Sequence, residues 1–599
     1  MIEIIKEIGE YAFNQRGLKD GNYIPLLAED PGLESPSEYM VVIIDLSEDI
    51  SGLHFDKIDL IPFDSYKKDN LLYKPSPSSN APDFSPTTKI TKDPNKKLFK
   101  IDTSYQRRII GWFNSKKFDG QIEKIGECIK SNSEQIFNEL KDLELNLKKD
   151  YLLTIRVNGQ YIGEIPEFCK SFLNNISSKY SKFDDKEVHN LKGVCSLCGN
   201  EGEVFGNTSP FTWYSLDKEC YIAGGFDVKN AWRNFSTCIN CTLHLEAGKT
   251  YIYKYLDKRF AGVQFMLLPH LMLGGLRRLE EILEIYQLFD KRRFSMADDQ
   301  RISADEDEIF SIASDSEDYV TFNFIFYEKE QERRRILLSM DDIYPSRLRQ
   351  LFNVKDKVNK FQIFTQNEIS FNFRLIKDLT LTTADSAKLF LDYISRIFKG
   401  IPISYRTFIS QAAKYLRDAY VNNKLVRNRS LSAFMCFLYI QELGLFYDRK
   451  EVTSMTNHAL SIKGMDKIES FFWQFGNAFN SPAKKGVFLL GVLAQNLLDI
   501  QWQKTSGSTP FMKRLKGLKL HKEDILGLLP AIQNKLEEYD SNCYRHLESA
   551  ISHYLLKAQS EWELNMDEIS FYFVIGMNLN DAKDNENVPL FKSAKEKAE

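Results

Sequence analysis

The stretches GVCSLCGNEG (residues 193–202) and STCINCTLH (residues 236–244) each carry a pair of cysteines separated by two residues. A Cys-x-x-Cys pair forms a tight knuckle whose thiolates converge, and two knuckles supply the four sulfur ligands of a tetrahedral zinc ion. The spacing therefore predicts a structural zinc site. Its four ligands are Cys195, Cys198, Cys238 and Cys241. Because four thiolates fill the coordination sphere, we expect the ion to stabilise a fold and not to activate water.

The two pairs are separated by 39 residues, which is longer than in a simple zinc ribbon. This length predicts a small insert that loops out from the metal. His244 follows the second pair closely and could replace one ligand, although four cysteines already suffice. The alternatives to a zinc site are two unrelated pairs of reduced core thiols, or a redox Cys-x-x-Cys motif outside its usual βαβ setting.

Length and composition indicate a soluble globular protein of several domains. The 599 residues exceed what one hydrophobic core accommodates and predict roughly three or four domains. The net charge of −4 means that any nucleic-acid binding depends on local patches. The five cysteines outside the two pairs are scattered, as in reduced cytosolic proteins. The N-terminus lacks a signal-peptide pattern and the most apolar run, residues 487–494, is too short to span a membrane, so we expect an intracellular protein.

The hydrophobic patterning predicts an α+β fold: a mixed α/β N-terminal part with a four-cysteine zinc insert, followed by a C-terminal α-helical bundle. The run YMVVIIDL (39–46) predicts a buried strand, and Asn158-Gly159 between two strand-like runs predicts a hairpin. After about residue 375, apolar residues recur at helical spacing. We therefore predict a mixed α/β domain (1–190), the zinc-binding insert (191–250), an α+β continuation (251–370) with an acidic loop (296–318), and the helical bundle (371–599).

A second hairpin is predicted within the continuation. Residues 319–327 show the alternating side-chain pattern of a β-strand and could pair with residues 336–340. Three arginines, Arg333, Arg334 and Arg335, lie at the turn, where we expect a solvated tip in preference to a phosphate contact.

The insert between the cysteine pairs combines aromatic side chains with cations and amides. Such a mixture can bind nucleic acid by stacking, phosphate contacts and base-edge hydrogen bonds. The candidate nucleic-acid-binding residues here are Asn207, Lys229, Asn230, Arg233 and Asn234. The alternative is a small core around the zinc with a polar exterior, and for the aromatic residues this alternative is favoured.

A second group of cations occurs in the predicted bundle. Within PFMKRLKGLKL (510–520), Lys513, Lys516 and Lys519 recur every three residues, with Arg514 beside them. These residues could contact a nucleic-acid backbone, or they could form an ordinary solvated helix face.

Motifs of the common enzyme classes are absent from the sequence. It contains no G-x-x-x-x-G-K-[ST] phosphate loop, no H-E-x-x-H metal motif and no G-x-S-x-G nucleophile elbow. Carboxylates could still converge in three dimensions, so this pattern argues against catalysis without excluding it. We predict a protein that is not an enzyme, with a zinc-containing nuclease and a protein-only zinc scaffold as alternatives.

Four segments then resemble one family in their order and spacing. They are NAWRNFSTCINC (230–241), GVFLLGVLAQNLLDIQ (486–501), PFMKRLKGLKL (510–520) and EISFYFVIGMNL (568–579). With the paired knuckles, they resemble the large subunit of type I-B CRISPR Cascade complexes, the Csh-type branch of the Cas8 family. The resemblance extends from about the Asn158-Gly159 hairpin to Met577, and the first 150 residues and the acidic loop match little.

The resemblance implies a non-catalytic subunit of an RNA-guided DNA surveillance complex in the prokaryotic cytoplasm. In such complexes, guide pairing reads the target while the protein reads a short adjacent motif and stabilises the displaced strand. The implied partners are a guide RNA, target double-stranded DNA, the other Cascade subunits and a recruited helicase-nuclease. By analogy, the N-terminal part with its zinc insert faces the motif duplex, and the helical part with Lys513, Arg514, Lys516 and Lys519 faces the heteroduplex or displaced strand.

Some related complexes make a small helical subunit from within the large-subunit gene. The residues before Met455 begin with Lys450-Glu451-Val452, which the codons AAG-GAG-GTN would encode as a strong ribosome-binding sequence. Translation from Met455 would yield 145 residues that include the cation group. The alternative is that Met455 is an ordinary loop residue.

Overall fold

The computed structural model describes most of the chain, and structural statements refer to the described residues. These are residues 1–15, 23–31, 38–50, 52–76, 81–93, 98–183, 186–206, 216, 227–272, 279–280, 282–284, 320–330, 333–381, 386–422, 426–447, 465–541, 543–583 and 589–591. The predicted acidic loop, Asn207 and Met455 lie outside them. The chain forms two compact units. The first comprises Met1–Lys258, Met266–Asp290 and Tyr327–Ile336, and the second comprises Arg259–Phe265, Lys291–Phe326 and Leu337–Glu599.

A mixed five-stranded sheet lies in the first unit. In spatial order its strands are Gly52–Pro62, Tyr39–Asp49, Asp150–Val157 and Thr88–Ile90, with Gln160–Tyr161 also paired to Asp150–Val157. The Tyr39–Asp49 strand is antiparallel to Gly52–Pro62 and parallel to Asp150–Val157. The predicted strand at 39–46 is confirmed. The predicted hairpin is also confirmed, and Asn158 and Gly159 have the positive φ angles (49° and 79°) that a type I′ turn requires.

Both faces of this sheet contribute to hydrophobic clusters, which explains the continuous β-branched run. Val42, Ile44 and Leu46 pack into the main core, whereas Val41 and Ile43 belong to a smaller cluster on the opposite face. The α-helices of the first unit are Ile2–Gln15, Ile24–Leu27, Lys68–Leu71, Gly111–Asn114, Gln121–Ser131, Ser133–Asp142, Pro166–Ser181 and Ile239–Tyr251. Two π-helical segments are Thr103–Ile110 and Ile252–Leu256.

Two glycines set the distance between the helices Ile2–Gln15 and Ile239–Tyr251. A Cβ added at Gly9 would lie 1.8 Å from the carbonyl oxygen of His244, and one added at Gly248 would lie 2.1 Å from that of Ile5. The helix that carries the second cysteine pair is therefore packed tightly against the N-terminal helix.

The remaining strands form small sheets. The two-stranded pairs are Lys92–Asp93 with Leu98–Phe99, Lys182–Phe183 with Lys186–Glu187, His189–Val194 with Glu201–Phe205, and Ile403–Ser404 with Phe446–Tyr447. A four-stranded sheet has Asp257–Phe260, Val263–Leu271, Val320–Glu330 and Arg333–Ile343 in sequence order. The last two are neighbours in the sheet, which confirms the second predicted hairpin.

Arg334 does not lie at a solvated tip, and that expectation was wrong for this residue. Its side chain is buried, with the residue only 8% exposed. The guanidinium carbon lies 3.8 Å from the ring centroid of Tyr253 and 5.6 Å from that of Tyr327. Cation–π contacts with these two tyrosine rings offset part of the cost of removing the cation from water.

The second unit is largely helical, as predicted. Its α-helices are Pro345–Asn359, Gln362–Thr365, Phe373–Thr380, Ser386–Lys399, Tyr405–Val421, Val426–Glu442, Met465–Trp473, Pro482–Lys504, Lys522–Glu538, Arg545–Ala558 and Met566–Asn578. The α+β fold class and the C-terminal helical bundle are therefore confirmed. No helix in the described part of the chain has the length and apolarity needed to cross a lipid bilayer.

The helix Pro482–Lys504 is the centre of this bundle. Its residues 486–494 are all buried, and it packs against Lys522–Glu538, Arg545–Ala558 and Met566–Asn578. A helix that is apolar on every side belongs inside a core. The run GVFLLGVLA therefore contains no polar side chain because this part of the helix is buried on all sides.

Candidate metal centre and nucleic-acid residues

The first cysteine pair lies in the turn of a β-hairpin. Cys195 follows the strand His189–Val194, and Cys198 precedes its partner strand Glu201–Phe205. The Cys195 N–H donates to the carbonyl of Asn200, and the Gly199 N–H donates to the carbonyl of Cys195, each at 2.9 Å. Gly199 has a φ of +73°, which permits the chain to reverse tightly behind Cys198. The local sequence thus forms a knuckle.

The second pair lies at the start of the helix Ile239–Tyr251. Cys238 is the N-terminal capping residue, and its carbonyl accepts from the Thr242 N–H at 3.0 Å. Cys241 is in the first turn. The unpaired N–H groups and the dipole at a helix N-terminus stabilise thiolates, so this position suits a metal ligand.

The structure brings the four predicted cysteines together. Their sulfur atoms all lie within 4.8 Å of one another, and the Cys198 and Cys238 sulfurs are 3.8 Å apart. A tetrahedral ion with sulfur ligands at about 2.3 Å has sulfur–sulfur edges of about 3.8 Å. Cys195 and Cys241 are buried, and the Cys195 sulfur also accepts from the Cys238 N–H at 3.3 Å. This donor set and spacing fit a zinc ion.

The four thiols are electrostatically linked. A hydrogen bond from Cys241 lowers the pKa of Cys238 to about 4. The same hydrogen bond is the main reason that the pKa of Cys241 is raised, and burial is the second reason. Burial also raises the pKa of Cys198. The site therefore favours a thiolate at Cys238, which accepts hydrogen bonds from the neighbouring thiols. A divalent cation would stabilise the other three sulfurs as thiolates.

Backbone and core contacts join the two knuckles. The Ser196 N–H donates to the carbonyl of Ser236 at 2.8 Å, and Phe205 forms an isolated β-bridge with Thr237. Cys195, Val204 and Cys241 form a small core. Leu197, Trp232 and Cys238 pack against it. The favoured interpretation of the insert's aromatic residues as a core around the metal is confirmed for Trp232.

The ring nitrogens of His244 contact residues outside the sulfur cluster. Its Nε2 lies 3.5 Å from the Tyr23 hydroxyl, and its Nδ1 lies 3.6 Å from a Glu10 carboxylate oxygen. Burial lowers the pKa of His244. His244 therefore links its helix to the N-terminal helix, and the candidate metal ligands are the four cysteines.

The predicted nucleic-acid residues of the insert lie mostly on or beside one short 3₁₀ helix, Val228–Arg233. Lys229, Arg233 and Asn234 are exposed, and Asn230 is half-buried. The Asp227 carboxylate caps this helix by accepting from the Lys229 N–H at 3.0 Å. The Arg233 guanidinium lies 5.2 Å from the ring centroid of Trp232. These side chains thus project from an element that is anchored at the metal centre.

The predicted cations of the second unit lie on a segment that we call the basic segment, residues 510–520. Its Lys513, Arg514, Lys516 and Lys519 are all exposed, whereas its Phe511, Leu515, Leu518 and Leu520 are buried. The helical turns of Pro510–Leu518 are interrupted at Lys516 and Gly517, so Lys519 follows a break in the helix.

Sequence reasoning missed the partner of Lys516. The Lys516 ammonium lies 2.6 Å from a carboxylate oxygen of Asp524, and this contact lowers the pKa of Asp524. Asp524 also accepts a hydrogen bond from the backbone N–H of His521, which lies three residues earlier. His521 is the capping residue at the start of the helix Lys522–Glu538. The spacing of Asp524 from His521 is a helix-start signal that could have located this carboxylate.

One curated protein matches part of the chain. The processive diacylglycerol beta-glycosyltransferase of Mycoplasma genitalium is 30% identical over 139 residues, which is 23% of this chain and 39% of that protein. The chain therefore spans well under half the length of this relative.

Three family models match successive parts of the chain. They describe the N-terminal, central and C-terminal domains of CRISPR-associated protein TM1802, and they match residues 1–174, 192–343 and 371–588. The central match contains all four cysteines, and the C-terminal match contains the basic segment. Since these matches follow one another over most of its length, the chain belongs to the CRISPR-associated TM1802 family.

Proposed function

We propose that this chain is the non-catalytic large subunit of a type I-B Cascade complex. In this role it binds a guide-RNA-containing assembly, recognises the motif adjacent to the target and stabilises the R-loop. The observation that carries the proposal is the ordered match to all three domains of a CRISPR-associated family. The four segments that resemble the Csh-type Cas8 branch supply the narrower assignment.

The metal in this proposal is a structural zinc ion. Cys195, Cys198, Cys238 and Cys241 would hold it, and the ion would fix the hairpin knuckle to the helix Ile239–Tyr251. Four thiolates leave no position for substrate or water, so the ion contributes folding free energy. The exposed turn with Lys229, Arg233 and Asn234 would then present a rigid surface to the DNA that contains the motif.

The basic segment has a separate role in this proposal. Exposed cations contact phosphates, which adds affinity without reading sequence. We assign Lys513, Arg514, Lys516 and Lys519 to the backbone of the heteroduplex or of the displaced strand. The insert would therefore affect motif preference, and the basic segment would affect binding of any matched target.

Co-expression with the other Cascade subunits and a CRISPR array tests the proposal. We expect a tagged chain to co-purify with those subunits and with a discrete small RNA. We expect the lone chain to cut no DNA in the presence of Mg²⁺, Mn²⁺ or Zn²⁺, and to bind duplex DNA weakly, with an affinity that falls steeply as salt rises. Metal-dependent cleavage by the lone chain would favour a nuclease, and a stable protein complex without RNA would favour a zinc scaffold.

A further inference from the structure

We infer that the end of the helix Pro482–Lys504 and the adjoining basic segment bind an unpaired nucleic-acid strand, with the Trp502 indole stacking on a base and Lys513, Arg514 and Lys519 contacting phosphates. The inference deepens the proposed function, on which it rests, by naming the form of nucleic acid that this site takes. It concerns Trp502, a residue that the sequence pattern did not single out.

Trp502 presents a large aromatic surface to solvent. The residue is 60% exposed although it lies on the helix Pro482–Lys504, whose residues 486–494 are all buried. One part of the ring is covered by a backbone turn: the Gly507 N–H donates to the Trp502 carbonyl at 3.0 Å, and a Cβ at Gly507 would lie 3.7 Å from the indole. The turn at Gly507 therefore lies close to the indole, and most of the residue's surface remains accessible.

The basic segment begins at the C-terminal end of the helix that carries this ring. The side-chain oxygen of Gln501, the residue before Trp502, accepts from the backbone N–H of Phe511 at 3.1 Å. The side-chain nitrogen of Gln501 lies 3.4 Å from the Tyr539 hydroxyl. Gln501 thus fixes the start of the basic segment at the end of the helix that carries the exposed indole.

The backbone of the basic segment holds its cations in a defined arrangement. Lys516, Gly517 and Leu518 have successive positive φ angles of 47°, 61° and 66°. A left-handed backbone costs an ordinary residue about 1–2 kcal/mol, so it persists only where the surroundings enforce it. Burial of Leu515, Leu518 and Leu520 provides that restraint, together with a hydrogen bond from the Ser570 hydroxyl to the Leu518 carbonyl. This restrained turn therefore sets the position of Lys519, which follows it, relative to Lys513 and Arg514, which precede it.

The cations differ in their availability to phosphates. Lys516 is paired with Asp524 at 2.6 Å. Across the described part of the chain, Lys513, Arg514 and Lys519 have no carboxylate within ion-pair distance. Three exposed positive charges, on a segment that begins at the end of the helix carrying the exposed indole, match the phosphates and the bases of one strand.

The indole decides between an unpaired strand and a duplex. In a duplex the bases stack on both sides and their faces are inaccessible, whereas an unpaired strand offers a base face to an aromatic ring. Cations alone would bind either form through the backbone. The combination of Trp502 with the three cations therefore favours the unpaired strand.

Fluorescence anisotropy on the purified full-length chain tests this inference. The probes are oligothymidine and oligouridine strands of about 16 nucleotides, the largest site size of a typical single-strand module, and a DNA duplex of equal length. We expect tighter binding of the single strands than of the duplex. Preference for oligothymidine would indicate a displaced DNA strand and preference for oligouridine a guide RNA, and both support an unpaired ligand.

The variants separate stacking from charge. Trp502→Ala should weaken single-strand binding about 5- to 100-fold with an unchanged salt slope, and Trp502→Phe should retain most of the affinity. Trp473→Ala is the matched control, because Trp473 is 86% exposed at the end of another helix of the same unit. The combined change Lys513→Gln, Arg514→Gln and Lys519→Gln should reduce the salt slope by about 2, at about 0.7 per phosphate contact. Thermal unfolding of each variant checks that the bundle is intact.

Two results would overturn the inference. If Trp502→Ala bound single strands as the parent does, stacking at this site would be wrong even if the cation variant were weakened. If the chain bound no single strand, or preferred duplex, the whole site would be wrong. Neither result would affect the proposed function, which depends on co-purification with guide RNA and the other subunits.

Discussion

The individual sulfur ligands differ in how far each is buried in the candidate metal centre. Cys195 and Cys241 are buried within a small core, Cys238 is half-buried, and Cys198 is exposed. Because hydrogen bonds connect the hairpin to the helix and the proposed zinc ion would add a second link, loss of one sulfur should affect folding of both elements. The centre is therefore expected to behave as a folding unit.

Replacing a buried ligand tests the zinc assignment. We expect the purified chain to contain about one zinc per molecule and Cys195→Ser to contain almost none, with a lower unfolding temperature. Elemental analysis and thermal unfolding provide the two readouts. Cys543→Ser is the control, since Cys543 is an exposed cysteine outside the cluster and its loss should leave the zinc content unchanged. Folded parent protein without zinc would show that the assignment is wrong.

At the scale of elements, pairs of glycines control how closely the helices approach. In the second unit, a Cβ at Gly491 would lie 2.1 Å from the Phe573 carbonyl oxygen, and one at Gly576 would lie 2.0 Å from that of Phe488. The helices Pro482–Lys504 and Met566–Asn578 can therefore approach closely only because each has a glycine opposite the backbone of the other. The helices Ile2–Gln15 and Ile239–Tyr251 use Gly9 and Gly248 in the same way.

The same substitution should have opposite effects at two glycines of the second unit. Gly491→Ala should destabilise the chain by about 1–3 kcal/mol, because the added methyl group forces the two helices apart. Gly527→Ala should stabilise it by about 0.5–1 kcal/mol, because Gly527 is exposed in the helix Lys522–Glu538 with no atom within 4 Å of its added Cβ. Urea unfolding measures both changes. Equal effects at the two positions would contradict the close helix crossing.

Local sequence patterns predicted the helices and strands better than they predicted the contacts between them. The two Cys-x-x-Cys knuckles, the Asn158-Gly159 hairpin and the helical periodicity each depend on neighbouring residues. The hairpin and the helices are confirmed, and the four cysteines lie close together as a zinc site requires. The glycine crossings and the burial of Arg334 depend on residues far apart in sequence, so no local pattern reveals them. The break at Lys516 was missed for the same reason: burial of Leu518 against the bundle overrides the helical preference of the segment.

At the scale of the whole molecule, the C-terminal helices share a core with helices that precede Met455. The ring centroids of Phe571 and Phe437 are 5.5 Å apart, and Arg417 forms an ion pair of 2.8 Å with Asp567. A product that starts at Met455 would retain the packing of Pro482–Lys504 against Met566–Asn578. It would expose the face of Met566–Asn578 that these earlier helices cover, so we expect such a product to be stable only with a partner.

Expression of the intact gene tests the internal start. We expect a second product that begins at Met455, with a mass of about 17 kDa in proportion to the 69.6 kDa of the whole chain. Changing the Met455 codon to a leucine codon should remove this product and leave the full chain. N-terminal sequencing identifies the start. If no short product appears from the native gene, or if it survives the codon change, the prediction is wrong.

The two candidate nucleic-acid surfaces should have different effects in an assembled complex. Changes at Asn207, Lys229, Asn230 and Asn234 should weaken recognition of the adjacent motif. Changes at Lys513, Lys516 and Lys519 together should weaken binding of any matched target and reduce the salt dependence, with the motif preference unchanged. Lys516 should contribute less than Lys513 or Lys519, because Asp524 already neutralises it. If both sets of variants bound target as the parent does, the assignment of the DNA surfaces would be wrong.

Target binding with and without this chain tests the central claim most directly. The measurement is the affinity of a guide-RNA-loaded complex for matched duplex DNA, with and without the adjacent motif, in preparations that contain or lack the chain. A large subunit that reads the motif predicts tight, motif-dependent binding only when the chain is present. Equal affinity and equal motif preference in its absence would contradict the account.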